Sequence, residues 1–181
     1  MKKFLFIILA ALFYTTTISA QSDFRLQPNG NFLAPDNKSY MVFEYPELSQ
    51  QQLYEQFLVS ISSCYVSPKD VISSVTNESI SVNGHDDYFV SVKVMGQRLY
   101  LDASYVIKLY FKDGRVRVDA PVILSLGPYH VDFGEWLHSQ KIYKDGVPNP
   151  KKQQSIDDCN IFFQELINRF LKFEHEATED W

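Results

Sequence analysis

Residues 100–126, YLDASYVIKLYFKDGRVRVDAPVILSL, contain two alternating runs that meet at Asp113-Gly114. Asp-Gly between such runs signals a two-residue hairpin, because a type I′ turn needs φ > 0 at both central positions and these residues tolerate it best. That loop length sets Phe111 opposite Val116, Leu109 opposite Val118, Ile107 opposite Ala120, Tyr105 opposite Val122, Ala103 opposite Leu124 and Leu101 opposite Leu126. Every member of that face is apolar or aromatic. The other face pairs Lys112 with Arg115, Tyr110 with Arg117, Lys108 with Asp119 and Asp102 with Ser125, a largely polar set. A loop one residue longer would mix the faces, so turn and alternation specify the same register. Pro121 has no N–H to donate, which predicts an edge or a bulge in the second strand.

The flanking sequence supplies cover for the apolar face. Tyr40 to Tyr45 has strand composition and ends at Pro46. Ser49 and Gln52 then make a capping-box pattern, with Leu48 and Leu53 placed as a hydrophobic staple. Leu53, Phe57, Ile61 and Cys64 recur at helical spacing, which predicts an amphipathic helix over 49–64. Asp70 to Thr76, Ser79 to Asn83 and Tyr88 to Met95 read as short strands, with Asn83 to Asp87 as a polar turn. A second helix is expected from Ser155, capped with Asp158, its stripe formed by Cys159, Phe162, Phe163, Leu166, Ile167, Phe170 and Phe173. The expected fold is α+β: an antiparallel sheet with two helices packed on one face and the other face open.

Residues 1–20 carry Lys2 and Lys3, an apolar run from Phe4 to Tyr14, and a small-residue end at Ala20, which is the pattern of a secretory signal peptide. Cleavage near Ala20 predicts an exported chain, periplasmic or extracellular, with no membrane span thereafter. Residues 21–38 read as a flexible lead-in, 39–175 as one domain, 127–152 as a long connection inside it, and 176–181 as a tail. Loss of Lys2 and Lys3 leaves 15 of the 17 basic residues against 22 acidic ones, a net charge of −7. Phosphate neutralisation needs the opposite balance, so nucleic acid is not an expected partner.

The order of elements, with the segments YMVFEYPELSQQQLYEQF, SPKDVISSVTNES and YVIKLYFKDGRVRV, resembles an exported bacterial domain of unknown function with a TATA-binding-protein-like fold. The most telling marks are Leu53-Tyr54, Lys69 to Ile72 and Lys112 to Arg115. The resemblance covers roughly residues 39–126 and the closing helix. It implies a fold in the order β-α-β-β-β-β-α and no catalytic residues.

The candidate sites are few. Val106, Tyr110, Arg115, Arg117 and Ile123 fall on the polar side of the central hairpin, an amphipathic strip for an envelope protein or a small ligand. His130, Asp132, Glu135 and His138 form a second cluster, and a metal-dependent or hydrolytic envelope enzyme built on it is the alternative reading. It lacks HExxH spacing. His85-Asp86-Asp87 reads as a polar turn. Asp132-Phe133-Gly134 has no accompanying kinase motif, and no GxSxG occurs. Cys64 and Cys159 leave two readings open in an exported chain: one disulfide, or two buried thiols. No cofactor is expected. The functional expectation is a non-enzymatic binding domain.

Overall fold

The computed structural model describes residues 21–172. The expected signal segment, its cleavage site and the tail lie outside the described residues. The central hairpin joins β6 (Gln97–Lys112) to β7 (Arg115–Asp119), pairing Phe111 with Val116, Leu109 with Val118, Tyr110 with Arg117 and Lys112 with Arg115. The turn itself differs from type I′. Gly114 has φ 73°, but Asp113 is not among the left-handed residues. The Asp113 carboxylate instead accepts from Gln50 N–H at 2.8 Å, tying the turn to the start of α1 (Gln50–Ser63). Two successive left-handed residues occur at Met95 (φ 48°) and Gly96 (φ 84°), in the tight turn between β5 (Ser79–Val94) and β6.

Beyond Asp119 the expected register fails. Pro121 interrupts the strand, and β8 (Val122–Leu126) returns to β6 with Val122 opposite Val106, Ile123 opposite Tyr105 and Leu126 opposite Ala103. A bulge between Ser104 and Tyr105 accompanies the slip. Its effect is to put Val122 and Leu124 outside, 55% and 60% exposed, and to bury Leu126. Ile123, expected on the open face, moves to the core side and is half-buried there.

The sheet has six strands in the order β3-β7-β6-β5-β4, with β8 on a further stretch of β6. Here β3 is Tyr40–Glu44 and β4 is Ile72–Val75, entered through the short helix α2 (Pro68–Val71). The three segments read as strand, polar turn and strand over 79–95 are one 16-residue strand, β5, bulged between Asp86 and Val90. The polar residues His85 and Asp87 are tolerated because they are exposed on the strand.

The capping box on α1 is formed as expected: Ser49 Oγ accepts from Gln52 N–H, and the Gln52 side chain accepts from Ser49 N–H at 3.0 Å. Leu53, Phe57 and Ile61 are fully buried against the sheet. The last helix, α4 (Gln153–Leu171), buries Ile156, Cys159, Phe163, Leu166, Ile167 and Phe170 along its stripe. It begins earlier than expected, however, and Ser155 and Asp158 do not cap it. Ser155 Oγ donates to the Ser91 carbonyl at 2.8 Å, while Asp158 Oδ2 accepts from Ser91 N–H at 2.9 Å and from Ser91 Oγ at 2.5 Å. The two residues thus satisfy the backbone of β5 on the side where no strand follows β4.

Residues 21–38 are not a loose lead-in. They fold as a small hairpin, β1 (Arg25–Leu26) and β2 (Phe32–Leu33), that buries Phe24, Leu26 and Phe32. Leu26 N–H donates to Asn160 Oδ1 at 2.8 Å and Ser22 N–H to Asn168 Oδ1 at 2.7 Å, both on α4. Residues 127–152 likewise carry their own structure: α3 (Phe133–Ser139), a small hairpin of β9 (Tyr143–Lys144) and β10 (Val147–Pro148), and a 3-10 turn. Its aromatics explain the order. Phe133 stacks on Phe32 and on Trp136, and Tyr143 Oη donates to the Leu26 carbonyl at 2.8 Å.

Candidate functional site

A groove of about 560 Å³ lies on the helix-free face, lined by Tyr40, Val42, Tyr110, Lys112, Arg115 and Arg117. Strand pairing explains why these residues meet. Val42 stands opposite Arg117, Arg117 opposite Tyr110, and Tyr110 opposite Ser79, making one row across four strands. Glu44, Arg115 and Lys112 make the next row. Residues so paired share a face, at Cβ separations of about 4.5–5.5 Å between neighbours.

Arg117 is the centre of the groove. Its guanidinium carbon sits 4.5 Å from the Tyr40 ring centroid and 5.5 Å from that of Tyr110, while its Nε donates to Asp119 Oδ1 at 2.7 Å. Lys38 Nζ approaches the Tyr40 ring at 5.9 Å and pairs with Asp36 at 2.6 Å. Aromatic faces and a carboxylate hold the Arg117 fork in one orientation. Lys112 and Arg115 make no ion pair among the described residues, although Glu44 stands across the ladder from Arg115.

The five sequence candidates separate. Tyr110, Arg115 and Arg117 line this groove. Val106 lines a second one of about 360 Å³, with Leu33, Lys108, Pro121 and Val122 among its walls. Ile123 lines neither and faces Tyr105. Sequence reasoning missed Lys112 as a site residue, and it missed Tyr40 and Val42. Their alternation with buried Phe43 marks them as outward-facing, but only the β3–β7 pairing brings them beside Arg117.

The His130, Asp132, Glu135 and His138 cluster does not assemble. All four are exposed, Asp132 caps α3 by accepting from Glu135 N–H at 2.9 Å, and His138 lies in the helix's last turn. Among the described residues no group of three or more His, Cys, Asp or Glu side chains is placed to hold a metal ion. His85 contacts Ser104 Oγ at 3.2 Å and Asp87 Oδ1 at 3.3 Å on the surface of β5 and β6.

Both cysteines are free thiols. Cys64 follows α1 and its Sγ donates to the Ser60 carbonyl at 3.4 Å; Ser60 in turn meets α4 at Arg169 and Phe170. No disulfide joins Cys64 and Cys159 in the structure. Burial pushes the Cys159 thiol well above its usual pKa, which suppresses the reactive thiolate.

No protein-family model and no curated protein sequence matches this chain. Among solved structures it is similar to a DUF4468 family protein from Bacteroides ovatus, with a TM-score of 0.53 and 15% identity over 76% of this chain and 88% of that one. A TBP-like protein from Parabacteroides distasonis aligns with a TM-score of 0.45 and 13% identity, over 75% of this chain and 92% of that one. The first likeness establishes a shared fold. From β3 through α4, with the N-terminal hairpin, α2 and the 127–152 elements set aside, the order is β-α-β-β-β-β-β-α, one strand more than expected because β7 and β8 are separate strands. The chain thus has an α+β fold with an antiparallel sheet, shared with that DUF4468 family protein. Among the described residues no helix is long and apolar enough to cross a membrane, which does not bear on β-barrels.

Proposed function

We propose that this chain is a non-enzymatic binding domain of the cell envelope that takes an acidic protein segment on its helix-free sheet face. The observation that carries the reading is the groove in which Lys112 and Arg115 stand unpaired beside an Arg117 held between two tyrosine rings. Cations arranged for carboxylates, with aromatic surface beside them, match the chemistry of an acidic segment with intervening apolar residues. The net charge of −5, or −7 after the expected cleavage, leaves this patch as a local exception, so attraction there is site-specific. Export rests on the sequence of residues 1–20.

The test is binding of a fluorescein-labelled peptide of alternating glutamate and valine, followed by anisotropy. The reversal Lys112→Glu with Arg115→Glu is expected to weaken binding at least tenfold, with only a small fall in thermal midpoint from the row of carboxylates it makes with Glu44. Affinity of the parent protein is also expected to fall with added salt, since exposed charges are screened over about 10 Å at 0.1 M ionic strength. Unchanged binding by the reversed protein overturns the reading. N-terminal sequencing of the envelope-fraction protein tests export: a chain starting at Gln21 is expected, and an intact Met1 contradicts it.

A further inference from the structure

The groove is bounded on one side by β3, which ends the strand order. Tyr45 N–H donates to Gly114 O at 2.7 Å and Ala120 N–H to Ser39 O at 2.8 Å, so residues 39 and 45 present their backbone to β7. Alternation along an antiparallel ladder gives the same direction to residues 41 and 43. The N–H and C=O groups of Tyr40, Val42 and Glu44 therefore point away from the sheet, and among the described residues they have no hydrogen-bond partner. Val42 is 44% exposed. Free edges are commonly blunted by a bulge, a covering loop or an internal proline. β3 has neither a bulge nor a proline, Pro46 lies beyond its end, and Asp23 N–H reaches the Met41 Sδ at 3.5 Å rather than the β3 backbone.

We propose that the acidic segment binds as an added antiparallel strand along β3, a mode that rests on the groove reading above and specifies how the groove is used. In an antiparallel pair, residues that exchange backbone hydrogen bonds project their side chains to the same face. Partner residues bonded to Tyr40, Val42 and Glu44 thus send their side chains over the groove, towards Arg117 and Arg115. Every pairing in this sheet is antiparallel, so the added strand continues its geometry. Charge selects the occupant. A second copy of this chain paired through β3 would bring the two Arg115 and Arg117 sets towards one joint, whereas an acidic strand neutralises them.

The alternating glutamate–valine peptide tests this when N-methylated on one set of amides at a time. Methylation of the glutamate amides, which face β3, is expected to weaken binding at least tenfold, and methylation of the valine amides to leave it nearly unchanged. Hydrogen exchange at the Val42 amide is expected to slow on adding the parent peptide. If both methylated peptides bind like the parent while Lys112→Glu with Arg115→Glu abolishes binding, strand addition is wrong and the groove reading stands. Should the parent peptide fail to bind, or ignore the charge reversal, the groove reading fails and takes strand addition with it. A β3-paired dimer in light scattering that excludes the peptide overturns the proposal in favour of self-association.

Discussion

Gly84 shows how one missing side chain shapes the core. A Cβ there would lie 2.2 Å from Tyr105 Cζ and 2.4 Å from its Oη, so the phenol lies against bare backbone. Its hydroxyl meets that of Tyr65 at 3.3 Å, and burial raises the pKa of both phenols. Gly84→Ala is expected to cost about 1–3 kcal/mol through overpacking, measured by urea denaturation. The Tyr143 phenol, desolvated and bonded to the Leu26 carbonyl, is pushed up from 10.0 to about 12. A pKa raised by folding means that the unfolded state loses its proton first, so stability is complete below about pH 10 and is lost as the pH climbs through about 12. Tyr143→Phe should flatten that alkaline loss in denaturation midpoints measured across the range, and cost about 1 kcal/mol at neutral pH for the lost hydrogen bond.

At the level of elements, the contact between α4 and β5 carries more than apolar packing. Asp158 accepts two hydrogen bonds from Ser91 through Oδ2 and one from Gln154 through Oδ1. Asp158→Ala leaves the Ser91 N–H orphaned, at an expected cost of about 1–3 kcal/mol. Phe32, fully buried against Phe133 and Phe163, is a harder test of the N-terminal hairpin: Phe32→Ala is expected to cost about 3–5 kcal/mol in a thermal or urea melt, whereas a detached lead-in would show no change. What was legible in the sequence divides along the same lines. The pairing from Leu109 to Val118 and the Ser49–Gln52 cap depend on neighbours in sequence, and both formed as expected. Pro121 announced a break, but the direction of the slip depends on Leu126 finding the core beside Ala103. His85 to Asp87 resembled a turn because polar composition cannot distinguish a loop from a strand with a wet face. Residues 21–38 resembled a linker because their anchors, Asn160 and Asn168, lie more than 130 residues away.

Across the molecule, the two helices and the groove occupy opposite sides of one sheet, so surface changes at Lys112 or Arg115 leave the core untouched. That separation is why charge reversal is expected to change peptide affinity far more than the thermal midpoint. The site was half legible for the same reason: Tyr110, Arg115 and Arg117 share one hairpin, whereas Tyr40 and Val42 join them only through pairing with Asp119 and Arg117, more than seventy residues away. The N-terminal hairpin locked under α4 also has a kinetic meaning. Ser22 and Leu26 are held by Asn168 and Asn160, so residues near the start of the described chain find their partners near its end. Loop closure over such separations is slow, and a chain made from its N-terminus carries Phe24, Leu26 and Phe32 unsheltered until α4 is complete. Premature termination before Asn160 therefore leaves an open aromatic core for a chaperone or protease to recognise.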